Sequence, residues 1–292
     1  MKLIDLYRQI IKCGAEEDPR KNKSLIKSYP DSRLLYGSPG TQVKKIMVGI
    51  DIEVADILLA DQFRSREGLD LVLGHHPEGM AYTGLHEVMR LQVDLLEQAG
   101  VKRHSAEQLL DKRMQEVERR VLPQNHTRPV DAARLLKMPF MNAHTPADNH
   151  VYRFLEKLFL KTRPRKLSEA VDLLLQVPEY KIAAKINAGP KIILGSPRRP
   201  VGKVFFEMTG GTEGSKDAFD KLYKAGVRTL VSMHLSEEHF KKVFDANLNV
   251  VIAGHISSDT LGLNLLLDKL ERKFKEDFQV VNCSGFTRIK RK

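Results

Sequence analysis

Three times in this chain a short apolar run ends in a histidine. Leu71-Val72-Leu73-Gly74 precedes His75 and His76, Phe140-Met141-Asn142-Ala143 precedes His144, and Val251-Ile252-Ala253-Gly254 precedes His255. Apolar runs this short, bounded by Gly or Pro, read as buried strands rather than helices. Amphipathic helical stretches lie between them. Strand–helix alternation with short joins implies parallel strands connected by crossover helices. The stretch "VKKIMVGIDIEV", the helix "VADILLADQFRSREG" and the strand "LDLVLG" make one such unit. A second series follows with "KVFFEM", "VRTLVSM" and "NVVIAG", and "DFQVVNCSG" closes the chain. "LDLVLGHH" is echoed by "LNVVIAGH", which suggests two related halves facing one another. The expected class is α/β, with mainly mixed or parallel sheets.

The chain divides by pattern into residues 1–80 together with 190–292, expected to form the α/β core halves, and a mostly helical middle, 81–189. That middle carries the short strand into His144, and Gly100 is placed to cap one of its helices. Residues 187–202, rich in Gly and Pro, mark an interior boundary, and the polar segment 20–42 reads as a loop or linker. Hydrophobic residues make up 42% and charged residues 29% of 292, which is globular rather than disordered composition. No apolar stretch approaches the roughly 20 residues that cross a bilayer. The N-terminus reads as an amphipathic helix built on Leu3, Leu6, Ile10 and Ile11 rather than a signal peptide. Cys13 and Cys283 form no CxxC pair, so a cytoplasmic protein is expected. The formal charge is +11. This favours anionic partners, though the charges are scattered apart from Arg288, Lys290, Arg291 and Lys292, and a solvated basic surface accounts for them equally. Nucleic-acid binding therefore has weak support.

Histidines delivered by carboxyl ends of strands point to chemistry, because ligands of open α/β sheets bind in the crevice outside those ends. The second and third segments also pair histidine with aspartate at a four-residue step: His144 with Asp148, and His255 with Asp259. Such a mixture of imidazoles and carboxylates suits zinc, iron or manganese. Neighbouring side chains on an extended backbone point apart, so His75 and His76 suit two adjacent ions, roughly 3.5–4 Å apart, better than one. Each segment alone has a plainer explanation. A strand-end histidine is commonly a hydrogen-bonded loop residue, and Asp148 and Asp259 could serve as helix N-terminal acids.

"GHHP", "AHTPAD" and the late "GHISSD" together resemble, in order and placement, the motifs of the Nif-three-like family, also described as GTP cyclohydrolase I type 2 homologues. "GIDIEVADILLA" and the approach to the last motif extend the resemblance. It implies a two-domain α/β fold with a dinuclear metal centre in the cleft between the halves, in a homo-oligomer that is often a hexameric ring. Carried over by position, His75, His76, Asp148, His255 and Asp259 are the metal ligands. His144 takes a supporting place outside the ligand set, as does Asp51 at the end of its strand. Two departures stand out: Asp259 occupies a position where the family usually has glutamate, and the helical stretch between His76 and His144 is longer, as a lid or an oligomer contact would be.

The turn "MTGGTEGSK" follows a strand and precedes a helix, making Gly210, Gly211, Thr212, Ser215 and Lys216 candidates for holding a phosphate. It matches neither phosphate-binding fingerprint, and a tight turn that needs glycine explains it more simply. His234 and His239, beside a helix start, are read as structural, and no G-x-S-x-G nucleophile elbow occurs. The expected activity is metal-dependent hydrolysis, of the cyclohydrolase or phosphohydrolase type, of a small anionic substrate such as a nucleotide. The alternative is a metal-handling protein without turnover.

Overall fold

Every apolar run singled out above becomes a strand in the computed structural model of the protein, which describes residues 1–291. In chain order the strands are β1 (Leu34–Tyr36), β2 (Lys45–Gly49), β3 (Leu71–Gly74), β4 (Phe140–Asn142), β5 (Lys191–Leu194), β6 (Lys203–Glu207), β7 (Val227–Ser232), β8 (Asn249–Ile252) and β9 (Gln279–Asn282). They form two sheets, ordered β1-β4-β3-β2-β9 and β5-β8-β7-β6. In each sheet the pairings are parallel except for one antiparallel edge strand, β1 on β4 and β5 on β8. The echoed runs are β3 and β8, each an interior strand of its sheet.

Two helices join the halves. Thr145–Thr162 follows β4 of the first sheet, and His255–Phe274 carries the chain from β8 back to β9. Both lie between the sheets, so their apolar residues serve two cores. Ala147, Leu263, Leu266 and Leu267 pack with the first half, whereas Val151, Leu155 and Leu261 pack with the second. A helix apolar on more than one face is what such an interior position requires. Gly262 lets the two helices meet: a Cβ there would lie 2.7 Å from the Ala147 carbonyl oxygen and 2.9 Å from Val151 Cγ2. Asp148 and Asp259 sit within one turn of this crossing, so the contact that joins the halves also brings two candidate ligands together.

The central helices pack their inner faces into the cores of both halves. Leu110, Met114 and Val117, from the helix Arg103–Val121, share a core with Phe219, Leu222, Val227 and Leu230. That helix covers one face of the second half's sheet, whereas Arg128–Leu136 packs with the first half, where Ala133 shares a core with Met47, Ile57 and Val72.

Segment 20–42 also departs from its reading as a linker. Tyr29, Asp31 and Ser32 are buried at 1%, 0% and 0% exposure, and β1 is hydrogen-bonded into the first sheet. The basic tail turns inward as well. Arg288 pairs with the buried Asp268 and Glu271 at 2.6 and 3.0 Å, and Arg291 with the buried Glu179 at 2.6 Å. These cations are consumed in neutralising interior carboxylates, which removes the main local support for a nucleic-acid surface; Lys292 lies outside the described residues. Among the described residues no helix is long and apolar enough to cross a membrane.

Candidate metal centre

The end of β3 sets the geometry. The His75 and His76 amides donate to the Ile50 carbonyl at 3.2 and 3.0 Å, and the His75 amide also reaches the Gly49 carbonyl, so the pair is pinned against the end of β2. The two rings diverge, with centroids 5.1 Å apart. His75 is fully buried; its Nδ1 lies 3.2 Å from the Ala143 carbonyl, to which it can only donate. Its Nε2 lies 3.4 Å from both Asp148 Oδ1 and Asp259 Oδ1, and it offers a lone pair once its proton is displaced. His76 Nδ1 is held at 2.6 Å by Asp51, which leaves Nε2 facing Asp259 Oδ2 at 3.4 Å. His255, at the start of its helix, brings Nε2 to 3.5 Å from the same oxygen. Gly254 permits that entry. It has φ of +112°, and a Cβ on it would meet the Ala188 carbonyl at 2.6 Å.

Asp259 is therefore the pivot, with one oxygen toward His75 and Asp148 and the other toward His76 and His255. Three groups bring their donor atoms within 4.8 Å of one another: His75, Asp148 and Asp259; His76, His255 and Asp259; and His75, His76 and His144. Each group could hold a metal ion. His75 Nε2, Asp148 Oδ1 and both Asp259 carboxylate oxygens are buried without a hydrogen-bond partner. Interior carboxylates are ordinarily paired or bound to a cation, because desolvating an unpaired charge is costly. Four convergent, unsatisfied acceptor atoms fit a divalent cation, so the donor set passes the test of its own chemistry. Oxygen partners on the Nδ1 atoms of His75 and His76 match the arrangement that orients metal-ligating imidazoles.

His144 stands behind this group. Its Nδ1 bonds Asp31 Oδ2 at 2.8 Å, its amide donates to Ser32 Oγ at 2.9 Å, and its Nε2 is 3.8 Å from Asp148 Oδ2. Asp31, which also accepts from the Thr145 hydroxyl at 2.7 Å, lies in the segment read as a linker and was missed. Nothing local distinguishes it, since only the fold brings it to residue 144. His234 was also missed, and there a signal existed: "VRTLVSM" ends in a histidine like the other three runs. Its ring lies 4.6 Å from that of His255, and its Nδ1 is 3.4 Å from Glu213 Oε1. His239 is structural as expected, bridging Ser236 Oγ and the Gly214 carbonyl.

The glycine-rich turn does not gather into a phosphate cradle. Gly211 and Thr212 border a cavity of about 40 Å³ shared with His144, Asp148, His255 and Asp259, but Gly210, Ser215 and Lys216 do not. Lys216 pairs instead with Glu238 at 2.6 Å, and the Gly214 amide donates to Glu207. Glu207 and Glu213 themselves face the cavity; burial raises Glu207, but Glu213 is held well below the usual range, so this wall presents a charged carboxylate where an anion needs donors.

Electrostatics couple the cluster. Burial opposes charge on His75, but Asp259 and Asp148 outweigh it and hold the imidazole up at about 10; for His76, Asp259 and Asp51 likewise win, at about 9. Asp259 is driven far below the usual carboxylate range: burial would raise it, but the imidazoles of His75, His76 and His255 prevail. In metal-free protein, folded His75 and His76 thus bind protons that unfolded imidazoles release above about 6.5. Their stabilising effect is complete below that pH and is lost as pH rises through 9 to 10. Chelated protein is expected to lose thermal stability steadily across this window. Saturation with a divalent ion, which needs neutral imidazoles, should flatten the profile. Melting curves with and without metal across that range test it, and a flat profile in the chelated protein would contradict the assignment.

No family model matches the sequence, and no curated protein matches it. Solved structures do. A NIF3 superfamily protein from Sphaerobacter thermophilus is 27% identical, with TM-score 0.78, covering 95% of this chain and 98% of that one. Reduced HcgD from Methanocaldococcus jannaschii (14% identity, TM-score 0.57) and TTHA1606 from Thermus thermophilus (15%, 0.52) each align over 97% of both chains. At those identities they support the fold alone.

Proposed function

We propose, from the premise that this chain belongs to the Nif-three-like family, that it is a metal-dependent hydrolase acting on a small anionic ester. His75, Asp148 and one oxygen of Asp259 would hold one divalent ion, and His76, His255 and the other oxygen a second. The observation that carries the reading is Asp259, whose two buried, unpartnered oxygens face different histidine sets. Bound divalent ions supply Lewis acidity, which polarises an ester and makes water a better nucleophile.

The protein's own residues supply the rest. Asp51 and the Ala143 carbonyl orient the two imidazoles, and Asp31 fixes His144 against Asp148. The small cavity beside Asp148 and Asp259 has room for water next to the carboxylates. Glu213, held at about 2 because His234, His239 and Ser236 overcome its burial, keeps His234 in place beside His255. The net charge of +11 favours encounter with an anion.

The test is release of phosphate from p-nitrophenyl phosphate by protein reconstituted separately with zinc, manganese and ferrous iron, beside chelated protein and His75→Ala. Turnover should require the metal and fall to background in the variant. Retained metal with no turnover on any phosphate ester would instead favour a metal-handling protein.

A further inference from the structure

His234 and His255 also border a second cavity, of about 750 Å³, within the size range of small-molecule sites. Its walls come from the helix Pro178–Ala184 and the turn after it, the edge strand β5, β8, the segment 233–235, the helix Glu237–Asp245, the first turn of His255–Phe274 and the C-terminal segment 285–289. They contribute Ile182, Ile186, Ile193, Phe240 and Ile256. Four of these are exposed large aliphatics, at 47%, 76%, 42% and 40% for Ile182, Ile186, Ile193 and Ile256. Scattered exposed isoleucines are ordinary, but a concave run of them beside a polar site marks a binding surface.

Polar character returns at the end nearest the centre. Besides the two histidines, the wall there includes Ser257, which is 7% exposed and whose hydroxyl oxygen is buried without a partner. Glu179, another lining carboxylate, is already committed to Arg291 and Asn264. The cavity therefore pairs an apolar body with a polar end that shares Met233, His234 and His255 with the small cavity beside the candidate metal centre. The small cavity beside that centre is also lined by Glu213, whose charge disfavours a chain of several phosphates.

We propose that this cavity receives the apolar body of the substrate, so that the preferred class is an aryl or alkyl phosphate monoester rather than a sugar phosphate or nucleoside triphosphate. The proposal rests on the hydrolase reading above for the fate of the head group. Hydrolysis then breaks the ester P–O bond: water delivers its oxygen to phosphorus, and a proton goes to the departing alcohol or phenol oxygen.

The experiment uses metal-loaded full-length protein and Ile186→Glu, a substitution at an exposed position that leaves the core intact. Binding is read from the fluorescence of 8-anilinonaphthalene-1-sulfonate and its displacement by 1-naphthyl phosphate. Catalysis is read as the preference in kcat/KM for 1-naphthyl phosphate over glycerol 2-phosphate. Saturable probe binding, displaced by 1-naphthyl phosphate and weakened roughly ten-fold or more by the variant, is the expected result, with the preference falling by a similar factor. If no ester is hydrolysed but the probe behaves this way, the cavity assignment stands and the hydrolase reading fails. Probe binding and preference both indifferent to Ile186→Glu would overturn the cavity assignment and leave that reading untouched. Light scattering showing that the variant dissociates an oligomer would also overturn it, since a second copy would then cover this face.

Discussion

Replacing Asp259 by alanine should strip the centre, taking bound metal from about two ions per chain to nearly none and abolishing turnover. Both of its carboxylate oxygens are buried, and each faces a different ligand set, so one substitution removes a donor from both. Asp148→Ala makes the informative comparison. Asp148 is grouped only with His75 and Asp259, so its loss leaves His76, His255 and Asp259 whole, and about one ion should remain. Elemental analysis of the two variants beside wild type, with circular dichroism to confirm folding, reads the difference directly. Equal losses in both would mean that the sites are not divided as proposed. Asp259→Glu, which keeps both oxygens on a stem one methylene longer, should retain metal.

Asp31→Ala is expected to have the largest effect on stability. The carboxylate is fully buried and accepts from His144 Nδ1, Thr145 Oγ1 and Ser32 Oγ at 2.8, 2.7 and 3.2 Å. Burial alone would raise its pKa, but His144 and the two hydroxyls hold it below the usual range, so it is charged in the folded protein. Alanine leaves those donors buried without an acceptor. Leaving a buried donor unsatisfied costs about 1–3 kcal/mol for each group. The damage should also reach the centre, because His144 faces Asp148, and loss of an orienting partner lowers metal affinity by roughly 10–100-fold. Denaturant melts of chelated protein isolate the first effect, and competition with a chromogenic chelator measures the second. A variant as stable as wild type would show that the network is dispensable. Asp31→Asn, which keeps one acceptor oxygen, should fall between the two.

The two kinds of residue in these experiments differ in how they could be found. Asp259, Asp148 and the histidines were legible because the fold places them by local rules. A strand's carboxyl end opens on a crevice, and a helix that starts there puts residues four apart on one face. The same rule covers His234, overlooked although β7 runs into it as β3 and β8 run into theirs. The glycine-rich turn misled for a related reason. Its local form suits an anion, but the charged Glu213, brought to the same cavity wall, disfavours one.

The sequence by itself determined the alternation of strand and helix, the halves' shared pattern and the donors at strand ends, because hydrophobic periodicity and backbone propensity act over a few residues. Tertiary structure alone decided that Asp259 divides its oxygens between two histidine sets, that Asp31 from an apparent linker anchors His144, and that the basic tail serves buried acids. It also decided that the central helices pack against both halves. Each of these depends on pairing residues tens to hundreds of positions apart. Such contacts arise from the packing of whole faces and the need to satisfy buried charge, which no short stretch of sequence records.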